Sequence, residues 1–98
     1  MQIDKLRGKE LDQLFKAILT LENVEECYQF FDDLATMNEV QSLAQRLQVA
    51  NMLRQGYTYH KIETETGAST ATISRVKRVL HFGNDAYVMA LDRIPEDE

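Results

Sequence analysis

Cysteine, proline and glycine are all scarce in this chain of 98 residues, and each scarcity excludes something. Cys27 stands alone, so no intramolecular disulfide can form and no cysteine-based metal site has enough ligands. A lone cysteine in an apolar helical stretch is expected to be a small core residue. His60 and His81 have no cysteine or second histidine at ligand spacing, so no metal is expected; His60 reads as a surface residue and His81 as helix-end decoration. The single proline is Pro95 and there are four glycines, which suits a mostly helical chain and argues against a sheet built on many tight turns. No apolar run approaches membrane-spanning length and the N-terminus has no signal-peptide pattern. The expected compartment is therefore the cytoplasm, with no membrane partner. Nor does a nucleophile–base pair, a pair of carboxylates or a phosphate-binding glycine loop stand out, so no enzyme is expected.

What is present is a single all-α domain with an uneven charge. The net charge of −5 is set against 44% apolar residues. Residues 1–45 carry Lys5, Arg7, Lys9 and Lys16 against nine acids, a net −5. Residues 46–81 carry Arg46, Arg54, Lys61, Arg75, Lys77 and Arg78 against Glu63 and Glu65, a net +4. Residues 82–98 carry Arg93 against five acids, a net −4. A phosphate responds to charge within a Debye length and not to the total, so the central block is where nucleic acid would bind. The flanking acid should suppress loose, non-specific binding. Segregation alone also fits a mixed-charge solvated surface.

Six helices are expected along the chain. The first runs from Lys9 to about Leu21, with Leu11, Leu14, Phe15, Ile18 and Leu19 on one face. Asn23 followed by Glu26 caps a second helix to about Ala35, which would bury Val24, Tyr28, Phe31 and Leu34. Thr36 and Glu39 form a capping box for the longest helix, Met37 to Arg54, whose apolar rhythm is Val40, Leu43, Ala44, Leu47, Ala50 and Leu53 and which Gly56 ends. Thr58 caps a short fourth helix. The fifth spans Ser69 or Thr70 to Leu80, and the sixth Asp85 to Arg93, before Pro95. Phe30 and Phe31 are adjacent and point to different faces, so burying both requires cover on two sides. That favours an intimate homodimer over a compact monomer. The expected division is residues 1–55 for dimerisation, 58–81 for a helix-turn-helix and 84–94 for a C-terminal helix, all within one domain of residues 1–94, followed by an acidic tail at 95–98.

The run Gly67 to Arg78 carries the functional expectation. Gly67 supplies the positive φ of a tight interhelical turn, and Ile62 anchors the helix before it. Ile73, Val76 and Leu80 recur at helical spacing and would face the core. Ser69, Thr70, Thr72, Ser74, Arg75, Lys77 and Arg78 are left outward, all able to contact double-stranded DNA. Thr70, Ala71 and Thr72, at the start of the helix, are the base-contact candidates, with Ala71 suited to a thymine methyl. Lys61, Lys77 and Arg78 are candidate phosphate clamps, and Arg75 a phosphate or effector contact. Ser69 and Thr70 also fit ordinary cap chemistry, and Lys61 fits a solvated charge. Tyr57 and Tyr59 can donate to phosphate, or Tyr59 can pack beneath the helix pair. The reading that follows is a sequence-specific transcriptional regulator; the alternative is a helical protein–protein interaction module that does not bind DNA.

Within this run, Gly67-Ala68-x-x-Ala71-Thr72-Ile73-Ser74-Arg75 resembles the Gly-Ala-x-x-Ala-Thr-Ile-Thr-Arg of the Trp repressor family, and in particular its YerC/YecD subgroup. Arg46 through Gly56 resembles the family's long helix ahead of the DNA-reading head, and the likeness extends from Thr36 to Ile94. The resemblance implies a six-helix Trp repressor-like fold, an intertwined homodimer and repression at palindromic operators. The Trp repressor is itself a standard case of helix-turn-helix docking with water-mediated base contacts. Its two tryptophan-contacting arginines fall on Arg46 and Arg75, the chemistry to hold a carboxylate and bracket a ring. The family's glycine after the second arginine is Val76 here, and its serine four residues beyond that arginine is Val79. One residue fewer also lies between Gly56 and Gly67 than in the Trp repressor. These departures argue against tryptophan; another small effector, or none, fits better.

Overall fold

The structure is a computed structural model and describes residues 1–95. Six α-helices follow one another with no strand among the described residues: α1 Lys9–Leu19, α2 Val24–Leu34, α3 Met37–Arg54, α4 Tyr59–Thr66, α5 Thr70–Phe82 and α6 Ala86–Arg93. Of the expected acidic tail at 95–98, residues 96–98 lie outside the described residues. The chain divides into two compact units, Met1–Val40 and the residues from Gln41 onward.

Local chemistry accounts for most of the helix ends in the first unit. A 3₁₀ turn at Gln2–Leu6, unanticipated from the sequence, is tied by the Met1 ammonium to Asp4 at 3.0 Å and by Arg7 Nε to Asp4 at 2.6 Å. α1 stops at Leu19, two residues short of expectation. The backbone N–H groups of Thr20 and Leu21 bond three residues back, to Ala17 and Ile18, and the Thr20 hydroxyl also donates to the Ala17 carbonyl. That tightened turn satisfies end carbonyls that a further helical turn would have used. Asn23 caps α2 by accepting from the Glu26 N–H at 2.8 Å. Glu26 reaches back to the N–H of Glu22, one residue beyond the expected partner. Thr36 and Glu39 form the full reciprocal box, at 3.1 and 2.8 Å.

Taken by itself, this first unit has no core. Neither α1 nor α2 contains a buried residue. Phe15, Leu19, Val24, Tyr28 and Leu34 are exposed, the last four of them by half or more. Within one chain, the expected burial of Val24, Tyr28 and Leu34 is therefore not met. Phe30 and Phe31 are half-buried, and their rings meet edge-to-face at 5.5 Å. Cys27 is exposed, correcting its expected place in a core; it lies on a helix that also leaves Val24, Tyr28 and Leu34 exposed.

The second unit holds the core. Val49, Ala50 and Met52 of α3, Ile62 of α4, Ala68 of the turn, and Ile73 and Val76 of α5 are buried together, with Leu53, Tyr59, Leu80, Tyr87 and Leu91 packed around them. Full burial of an aliphatic side chain contributes about 1.5–3 kcal/mol, so this cluster is what fixes α4 and α5. The apolar rhythm of α3 is met only in part: Ala50 is buried and Leu53 packs on the core, but Leu43 and Ala44 are exposed while Val49 and Met52, outside that rhythm, are buried. Apolar residues lie on more than one side of α3, and its buried ones among the described residues are Val49, Ala50 and Met52. At its end, Gly56 adopts φ +85° with Gly56 N–H to Leu53 and Tyr57 N–H to Met52, a Schellman stop. α6 is joined to this end of α3 by Arg54 Nη2 and Asp92 Oδ1 at 2.8 Å.

Candidate nucleic-acid interface

The turn between α4 and α5 is built from short-range bonds. Thr58 caps α4 by accepting from the Lys61 N–H at 3.2 Å. Gly67, at φ +72°, closes α4 through its N–H to the Glu63 carbonyl at 2.9 Å. The Thr66 hydroxyl donates to the Ile62 carbonyl at 2.7 Å and accepts from the Ala68 N–H at 3.1 Å, so one side chain spans the turn. From α3, Gln45 Nε2 donates to the Thr66 carbonyl at 3.1 Å and ties the turn to the long helix. No sequence signal pointed to Gln45 or Thr66, because their partners are set by tertiary packing.

α5 is capped by Ser69, whose Oγ accepts from the Thr72 N–H at 3.1 Å and lies 3.2 Å from the Thr72 hydroxyl. The cap reading of Ser69 is thus a feature of the structure. The helix continues to Phe82, two residues past expectation, and the Gly83 N–H bonds to the Val79 carbonyl. Ile73 is fully buried and Val76 is 2% exposed, whereas Val79 is 42% exposed. Thr70, Ala71, Ser74, Arg75, Lys77 and Arg78 are all exposed, and Thr72 is half-buried. α5 therefore has an apolar side sunk in the core and an outer side of hydroxyls and cations.

The cations differ in their engagement. Lys61 is paired with Glu65 one turn along α4 at 2.8 Å, and that carboxylate holds its ammonium above the ordinary lysine range. Arg54 is paired with Asp92. Among the described residues, Arg46, Arg75, Lys77 and Arg78 form no salt bridge, and all four are exposed. Lys77 instead has its Nζ 5.6 Å from the centre of the Tyr59 ring. His60 and His81 are exposed, as expected. Among the described residues no three His, Cys, Asp or Glu side chains converge as metal ligands, and no helix is long and apolar enough to cross a membrane.

By fold, then, this is an all-helical protein built around a helix-turn-helix. Residues 9–95 match the family described as the Trp repressor protein. Over 98 residues the chain is 79% identical to the uncharacterized protein YerC of Bacillus subtilis (strain 168), covering all of this chain and 94% of that one. The crystal structure of a candidate Trp repressor from Staphylococcus aureus is 76% identical, with a TM-score of 0.93 over 95% of this chain and 93% of that chain. A TrpR-like protein from Eubacterium eligens ATCC 27750 is 50% identical, with a TM-score of 0.89 over 96% and 99% of the two chains. The chain belongs to the Trp repressor family.

Proposed function

We propose that this chain is a sequence-specific DNA-binding transcriptional regulator, a repressor that binds palindromic operators as a homodimer in the cytoplasm. The observation that carries this reading is α5 itself, a helix held by Ile73 and Val76 whose outer side presents Thr70, Ala71, Ser74, Arg75, Lys77 and Arg78. Its first turn, Thr70 to Thr72, reads base edges; Lys77 and Arg78 take phosphates. Membership of the Trp repressor family supports the same reading. Residues 1–55 serve dimerisation, 58–81 read DNA and 84–94 close the domain. The first unit supports the dimer, since the exposed Leu19, Val24 and Tyr28 need cover that one chain does not supply. A two-fold pair would set its recognition helices roughly 34 Å apart, one turn of DNA.

Effector control, in this reading, runs through Arg46 and Arg75. The residue beside Arg75 is Val76, whose branched side chain already occupies core space, which argues against an indole ring there. Selection of bound DNA from a random pool, with and without candidate amino acids, tests the proposal. Enrichment of a palindrome, with affinity falling steeply with salt, is the expected result. Failure to enrich any sequence under both conditions returns the chain to the class of helical interaction modules.

A further inference from the structure

We infer that Tyr59 is a positioning residue for DNA binding, which acts by stationing the Lys77 ammonium on its ring; this rests on the proposed DNA-binding function. Tyr59 opens α4 and Lys77 lies in α5, so the contact joins the two helices of the motif. The Tyr59 ring is half-buried against the core, which makes it a fixed platform. Lys77 is exposed, and its Nζ is 5.6 Å from the ring centre, within the range where a cation is held by an aromatic face. No carboxylate among the described residues pairs with Lys77, whereas Lys61 of the same motif is held by Glu65. The two lysines therefore have opposite fates. A carboxylate neutralises the charge of Lys61; an aromatic face holds Lys77 and leaves its charge available to a phosphate.

Holding a lysine in place has a consequence for binding. A free lysine gives up much of its rotamer freedom when it is fixed on a phosphate. One already stationed on a ring has given up part of it in the unbound protein, so less is lost on association. The tyrosine hydroxyl has no part in this account; the ring face does.

The experiment uses the full chain and the operator enriched by selection. Tyr59→Phe keeps the face and removes the hydroxyl, and it should bind like the parent. Tyr59→Leu keeps apolar bulk and removes the face, and it should bind about two- to five-fold more weakly. In a Lys77→Met background, Tyr59→Leu should cause no further loss, because the effect runs through that one cation. The Lys77 side-chain methylene protons should show a ring-current shift in the parent and Tyr59→Phe proteins that disappears in Tyr59→Leu. Equal weakening by Phe and Leu would overturn the inference in favour of a hydroxyl–phosphate contact. An undiminished Leu effect in the Lys77→Met background would reduce Tyr59 to a packing residue, and an unweakened Leu variant would remove it altogether. A parent chain that keeps the ring-current shift but enriches no DNA would locate the failure in the DNA-binding reading itself.

Discussion

Replacing Gly67 by alanine tests the geometry of the turn in isolation. Gly67 sits at φ +72°, in the left-handed region, and a Cβ built on it meets no atom within 4 Å. Steric contact with neighbours therefore contributes nothing, and the whole cost lies in the backbone. A left-handed conformation costs an L-residue about 1–2 kcal/mol. Alanine restricts the unfolded chain, which returns about 0.4–1 kcal/mol. The net expectation is a destabilisation of about 1 kcal/mol, or roughly 4–8 °C in Tm for a domain of this size class. Asparagine tolerates the left-handed region, so Gly67→Asn should cost clearly less. Gly83→Ala is the contrasting case: its φ is ordinary, but the new Cβ would lie 2.5 Å from the Val79 carbonyl oxygen. Asparagine brings the same Cβ, so it should not rescue position 83. Thermal unfolding followed by circular dichroism, at one fixed protein concentration because the Tm of the proposed dimer would depend on it, reads all of these. An alanine at 67 that leaves Tm unchanged, or an asparagine as costly as alanine there, would refute the left-handed turn.

Three further outcomes follow from the same structure. Ile73→Ala removes a fully buried side chain and should destabilise by about 2–5 kcal/mol, read from the denaturant midpoint. Arg78→Ala should weaken binding to all DNA sequences alike and lower the salt slope by about one, and an unchanged slope would remove Arg78 from the phosphate contacts. Glu39 is held below the ordinary glutamate range by the backbone N–H and then the hydroxyl of Thr36. A lowered folded-state pKa stabilises above the unfolded value and is lost as pH falls through the folded one, so the stability gap between the parent and Glu39→Gln should narrow on acidification.

The features legible in the sequence were those whose chemistry closes within about four residues. Thr36 with Glu39, Asn23 with Glu26, and Thr58 and Ser69 as caps are local bonds, and the structure forms each of them. The core side of α5 was legible because Ile73 and Val76 recur on one helical face. Periodicity says that a face exists, however, and not what covers it. Hence Val49 and Met52 of α3 are buried while Leu43 is exposed, and Tyr28 and Cys27 of α2 are left exposed. The pairings of Arg54 with Asp92 and Gln45 with Thr66 join residues 38 and 21 apart, and no spacing rule anticipates them.

Those long-range pairings change the charge argument. Counted along the sequence, the central block offers six cations against two acids. In the structure Glu65 engages Lys61 and Asp92, from outside the block, engages Arg54. Exposed pairs of this kind are worth little to stability, but each places a negative charge where a phosphate would otherwise approach. The cations of the central block without such a partner among the described residues are Arg46 on α3 and Arg75, Lys77 and Arg78 on α5, so the block's positive field is narrower than its sequence count and centred on α5. A narrower field means fewer counterions released on any DNA, and so weaker sequence-independent binding. Under the proposed function, discrimination would then fall to the base contacts proposed for Thr70, Ala71 and Thr72, since phosphate attraction alone would not hold this acidic chain to the wrong site.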